Sequence, residues 1–117
     1  MKEFDLKMRT KKFALRIVRL FTSLPRTAEA QVIGKQVLRG GTSVGAQYRE
    51  ACRSRSTAEF ISKMQSSLQE LDETAYWLEL LVEGEIVRAD KLDDLQKETE
   101  ELISIFASSV RTAKAAK

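Results

Sequence analysis

Five cations recur near the start of the chain at spacings that a helix would align: Lys2, Arg9, Lys12, Arg16 and Arg19 lie seven, three, four and three residues apart. Side chains three and four apart share a helical face. Such a flank is suited to following a phosphate backbone, with binding that weakens steeply as salt rises. Lys35 and Arg39 form a further i, i+4 pair, and Arg49, Arg53 and Arg55 cluster before the next apolar segment. Aromatic residues do not interleave with these cations, since Phe13 belongs to an apolar stripe and Tyr76 and Trp77 lie far along the chain. Base reading by stacking is therefore not supported.

Other chemistry is scarce. The chain has no histidine, which removes the usual general base, the Ser–His and Cys–His pairs, and the histidine-containing zinc and di-iron sites. The carboxylate pairs Glu70/Glu73 and Glu79/Glu83 read as solvated helical faces. Arg39-Gly40-Gly41-Thr42-Ser43-Val44-Gly45 lacks the Gly-Lys-Ser/Thr ending and the preceding strand of a phosphate loop, so its small residues are expected to let a helix bend or approach a neighbour. Cys52 has no second cysteine to pair with and reads as a small buried hydrophobe in a reducing compartment. No catalytic residue, metal or cofactor is expected, and the chain is expected not to be an enzyme.

The net charge of +3 conceals an asymmetry. Residues 1–65 hold fourteen Lys/Arg against five Asp/Glu, a balance of +9, whereas residues 66–117 hold six against twelve, a balance of −6. Two explanations stand side by side: an exposed basic surface for nucleic acid, or pairing of the two halves within the bundle or across a subunit boundary.

The segments that must position these charges are helical. A chain of 117 residues, 43% apolar and 32% charged with a single proline, suits one domain over 1–117 with a helical core. Leu6, Phe13, Ile17, Leu20 and Leu24 predict a helix over about 4–22, broken at Ser23-Leu24-Pro25. Ile33, Val37, Val44, Tyr48 and Ala51 predict a second over about 27–52, irregular near Gly40–Gly45 because each mid-helix glycine costs about 1 kcal/mol relative to alanine. Ser56-Thr57-Ala58-Glu59 is a capping box opening a third over about 56–83, with the seam Met64, Leu68, Leu71, Ala75, Leu78, Val82. Gly84 ends it. Asp90 and Asp93 are placed to cap a fourth over about 91–113, carrying Leu92, Leu95, Thr99, Leu102, Phe106, Ser109 and Ala113, with Lys114 and Lys117 at its C-terminal end.

Four such helices with short connections predict an all-α, antiparallel up-down-up-down four-helix bundle. Ile61, Trp77 and Leu81 lie off the third seam, which predicts a second apolar strip and hence a homo-oligomer. No stretch is long and apolar enough to span a bilayer and the first residues lack a secretory signal, so a cytoplasmic protein without membrane contact is expected.

Gln36, Arg39, Ser43, Ala46, Gln47 and Glu50, then Ser56, Glu59 and Phe60, then Ser67-Leu68-Gln69-Glu70-Leu71, together with the turn at Leu24-Pro25, resemble in order and spacing the small bacterial four-helix bundle family encoded in intervening sequences of large-subunit ribosomal RNA genes. The sequence departs from that pattern at Gly40, Gly41, Gly45, Gln47 and Ala51. The resemblance implies a homo-oligomer, typically a pentameric ring with a basic surface, and an RNA- or DNA-binding role. A looser similarity, to accessory proteins of diversity-generating retroelements, implies a protein partner such as a reverse transcriptase. Carried over by position, Arg39, Ser43, Glu50 and Glu70 are expected to form a structural polar network between the second and third helices, around a buried arginine. Arg9, Lys12, Arg16, Arg19, Arg49, Arg53 and Arg55 are the expected nucleic-acid contacts.

Overall fold

Pro25 and Gly84 punctuate the chain where the periodicity stops, and the segments between become helices α1 (Glu3–Ser23), α2 (Ala28–Cys52), α3 (Thr57–Glu83) and α4 (Ala89–Ala115). A computed structural model describes the backbone of residues 3–116 and the side chains of residues 5–116. Lys2 and Lys117, counted above among the basic residues, lie outside the described residues. Among the described residues there is no strand, and no helix is long and apolar enough to cross a membrane.

Each helix packs against the next in the chain, giving a bundle of 47 × 20 × 20 Å. The seam between α1 and α4 is the loosest. Phe13 and Ile17 of α1, Val37 and Val44 of α2, Met64, Leu71 and Leu78 of α3, and Leu102 and Phe106 of α4 are buried together, and Tyr48 meets Phe106 edge-on at 5.7 Å.

The glycines of α2 act by proximity. The helix runs unbroken through Gly40, Gly41 and Gly45, so the irregularity expected there is absent. A β-carbon on Gly41 would stand 2.6 Å from Ile17 Cγ1, one on Gly40 2.7 Å from Thr74 Oγ1, and one on Gly45 3.0 Å from Thr10 Oγ1. Missing side chains thus bring α1 and α3 against α2, and Ser67 uses the short distance to donate across helices to the Val44 carbonyl at 2.8 Å.

Two caps differ from expectation. The Ser56 hydroxyl accepts from the Glu59 amide at 3.1 Å, but among the described residues the Glu59 carboxylate returns no bond, so half of the capping box forms. At the other end of α3, Gly84 has an ordinary φ of −79° and it is Glu85 that turns left-handed, at φ 60°. That turn lets the Ile86 and Val87 amides both reach the Leu81 carbonyl, at 2.9 and 3.0 Å. The chain is then already aligned for α4 at Arg88, which is the N-cap without a side-chain bond. Asp90 falls in the first turn, paired with Arg88 at 3.0 Å, and does not cap.

The apolar strip expected on α3 is not there: Ile61 and Leu81 are buried and Trp77 is half-buried, because α3 packs against both α2 and α4. The large apolar side chains left exposed are Met8, Leu15 and Val18 on α1, Val32 on α2 and Tyr76 on α3.

Candidate nucleic-acid interface

The helical spacing that puts Leu6, Phe13 and Ile17 into the core turns Arg9, Lys12, Arg16 and Arg19 onto one flank of α1. That flank looks towards α4, as Arg9 demonstrates. Its Nε and Nη2 donate to the two oxygens of Glu98 at 2.8 Å each, and Nη2 also donates to Glu101 at 2.7 Å. These hydrogen bonds, first to Glu98 and then to Glu101, push the Arg9 pKa even higher. Arg9 is therefore occupied by the acidic half of the chain and does not present a bare cation to solvent.

The remaining six cations singled out by sequence have no ion pair among the described residues. Lys12, Arg19, Arg49, Arg53 and Arg55 are exposed and Arg16 is half-buried. They do not form one patch. Lys12, Arg16 and Arg19 follow α1. Arg49 belongs to α2 and lines a shallow trough of about 320 Å³ with Lys11, over the small side chains Ala14, Gly45 and Ala46. Arg53 caps α2, one turn on from Arg49. Arg55 lies at the rim of a larger groove of about 1030 Å³ at the end of the bundle, where the α2–α3 turn meets α4 and Cys52, Phe60, Ser108 and Thr112 form the walls.

Lys11 was missed by sequence reasoning, which followed only the Arg9–Arg19 spacing. Its membership of a basic surface depends on α2 arriving beside α1, and the signal available was the glycine at position 45 that allows that approach.

The four polar residues expected to form one network separate into two. Arg39 Nη1 donates to Glu70 Oε2 at 3.1 Å and its Nη2 lies 3.6 Å from Glu73, while the arginine side chain is 53% exposed and so is not the buried centre that was expected. Arg39 is held charged chiefly by its hydrogen bond to Glu70, then by the charge of Glu70 and, less, of Glu73. Ser43 donates to the Arg39 carbonyl at 2.7 Å, a turn-local bond that does not touch the guanidinium. Glu50 pairs instead with Lys63 at 2.7 Å, three turns along the same seam. That bond lowers the Glu50 pKa and raises that of Lys63. Glu70 Oε1 and Thr74 Oγ1, both close to Gly40, are buried without a hydrogen-bond partner among the described residues.

No cluster of three metal-ligating side chains occurs among the described residues. The arrangement offers exposed cations on α1, on α2 and in the α2–α3 turn.

The bundle has known relatives. A solved structure, of a protein with unknown function from the S23 ribosomal protein family of Bacteroides thetaiotaomicron VPI-5482, is 37% identical and superposes with a TM-score of 0.88 over 95% of this chain and 99% of that one. No curated protein matches significantly. The family model described as 23S rRNA-intervening sequence protein matches residues 2–108. With that match over nearly the whole length, the chain belongs to the 23S rRNA-intervening sequence protein family.

Proposed function

We propose that this protein is a non-enzymatic, cytoplasmic, homo-oligomeric bundle that holds RNA or DNA by phosphate contacts. The observation that carries the reading is the set of cations on α1, α2 and the α2–α3 turn that form no ion pair among the described residues: Lys12, Arg16, Arg19, Arg49, Arg53 and Arg55, joined by Lys11. Unpaired arginines at separate heights on a rod 47 Å long suit a charged polymer better than a small anion. The family description, which refers to 23S rRNA, supports a nucleic acid as the polymer. Oligomerisation is supported by the exposed Met8, Leu15, Val18, Val32 and Tyr76, and a ring of five by the family resemblance alone.

The test is fluorescence anisotropy with labelled RNA and DNA at low salt. Binding that falls linearly on a log–log salt plot, and is lost in an Arg16→Glu, Arg49→Glu, Arg53→Glu variant, supports the reading. Absence of binding at low salt, or an unchanged affinity in that variant, refutes it.

A second reading is a scaffold whose oppositely charged halves dock subunits or a protein partner such as a reverse transcriptase; the attraction between the halves is seen within the chain, where Arg9 pairs with Glu98 and Glu101. This reading predicts assembly that weakens with salt and no affinity for nucleic acid. A constant mass from low to high salt excludes it.

A further inference from the structure

Large apolar side chains stand exposed in two places, and the two differ in charge. On α1, Met8, Leu15 and Val18 are 49%, 45% and 42% exposed. Their spacings of seven and three residues place them on the side of the helix away from Phe13 and Ile17. Lys11 lies within this strip and Lys12 and Arg19 run beside it, all exposed and none in an ion pair among the described residues.

The second place is the α2–α3 seam near the Pro25 end of the bundle. The Arg39–Glu70 pair sets the register there. Because α2 and α3 run antiparallel, seven residues back from Arg39 and seven on from Glu70 bring Val32 and Trp77 to the same height on the same face. Val32 is 66% exposed and Tyr76 53%, and the Tyr76 ring stands edge-on to Trp77 at 5.2 Å. The indole Nε1 of Trp77 is buried and has no acceptor among the described residues. Exposed Glu29, Asp72, Glu79 and Glu83 lie three, four, three and seven residues from Val32 or Tyr76 along their helices, against one exposed cation, Lys35, three residues from Val32, so the rim of the patch is acidic on balance.

We propose that the outer face of α1 of one copy seats on the Val32–Tyr76–Trp77 patch of the next copy. Charge decides which faces meet. Two α1 faces together would oppose lysine to lysine, and two seam patches carboxylate to carboxylate. One of each sets Lys11, Lys12 and Arg19 against the carboxylate rim while burying the apolar strip against two aromatic rings, the side chains that dominate interface energetics. The contact is heterologous, so every copy uses both faces and assembly continues until it closes. This rests on the homo-oligomeric part of the proposed function, and it assigns the α1 cations beside the strip to the subunit contact. Arg16, Arg49, Arg53 and Arg55 are left for phosphate.

Light scattering on two variants and their mixture tests the arrangement. Leu15→Glu with Val18→Glu disables the α1 face, and Val32→Lys with Tyr76→Lys disables the seam. All four positions are exposed, so helical circular dichroism and cooperative melting are retained in both. At a concentration where the unaltered chain is fully assembled, each variant alone falls to the 13.3 kDa monomer. The equimolar mixture forms a 1:1 pair and nothing larger, since one intact α1 face meets one intact seam. Either variant keeping the full mass, the mixture staying monomeric, or an unaltered chain that is monomeric at low salt overturns the proposal. The nucleic-acid reading is tested separately: Arg16→Glu with Arg49→Glu and Arg53→Glu should leave the mass unchanged while removing polyanion binding, and an unchanged affinity in that variant refutes that reading without touching the subunit contact.

Discussion

Arg9 and Glu98, 89 residues apart in the chain, meet side by side across the α1–α4 seam, with two parallel hydrogen bonds of 2.8 Å. A cation from the basic half is thereby fixed to a carboxylate from the acidic half, where the bundle is otherwise most loosely closed. Both side chains are mostly shielded, 25% and 17% exposed. The pair therefore sits between the exposed limit, where such pairs contribute little, and the buried limit, where removing one partner strands a charge.

Arg9→Met is expected to cost about 1–2 kcal/mol in urea unfolding, with a smaller loss in high salt. A double-mutant cycle with Glu98→Gln checks the cause. Coupling indistinguishable from zero would show that the two side chains are close without stabilising the seam.

Gly41→Ala is expected to destabilise by about 1–3 kcal/mol although alanine is the better helix former, because Ile17 is fully buried and its branched side chain blocks the new methyl at 2.6 Å. Thermal melts of Gly41→Ala, Ile17→Ala and the double variant measure this. Ile17→Ala removes the γ- and δ-carbons that block the new methyl, so the double variant should lose less than the two single losses added together.

Glu85→Gly is expected to stabilise by about 0.5–1 kcal/mol. The residue after the Gly84 cap holds φ 60°, a conformation glycine adopts without strain and glutamate does not. Chemical denaturation checks it, and a lower midpoint would mean that the turn gains nothing from a glycine.

The Glu50–Lys63 pair gives a pH signature. The Lys63 ammonium holds the Glu50 carboxyl below the ordinary glutamate range. A carboxyl with a depressed folded pKa contributes stability above its unfolded pKa and loses it as pH falls through the folded one. The contribution is therefore present at neutral pH and disappears in acid. Carboxyl-carbon NMR titration should place the Glu50 midpoint low and return most of the shift in Lys63→Met, leaving the smaller influence of Arg53.

The four helices were legible in the sequence because Leu6–Leu24, Met64–Val82 and Leu92–Phe106 keep a strict helical period, and period alone determines which side of a helix is hidden. Local punctuation was read less well. Asp90 looked like a cap, but the left-handed Glu85 and the double bond to the Leu81 carbonyl bring the chain into α4 at Arg88, earlier than a side-chain cap would require. The Gly40–Gly45 run was compatible with a bend or a close contact, and only the positions of Ile17 and Thr74 decide for contact.

The site was legible as a set of charges but not as an arrangement. Arg9 belongs by spacing with Lys12 and Arg16, yet its partners are far along the chain, and no short-range pattern indicates which cation Glu98 will capture. Arg39 and Glu70 do meet, whereas Glu50 turns to Lys63, because the antiparallel register of α2 and α3 places those residues at matching heights. The exposed apolar side chains likewise proved to lie on α1 and around Val32 and Tyr76, since burial of Ile61 and Leu81 depends on where α2 and α4 sit around α3.

The central claim is that cations left unpaired on this bundle hold a phosphate backbone. Its most direct test is the salt dependence of the affinity for a labelled 23S ribosomal RNA fragment, measured by anisotropy for the unaltered chain and for Arg16→Glu with Arg49→Glu and Arg53→Glu. The claim predicts a steep negative log–log slope that becomes shallower by about 2–3 units in the triple variant, each cation releasing about one counterion. A slope near zero, or one that the three reversals leave unchanged, would contradict it.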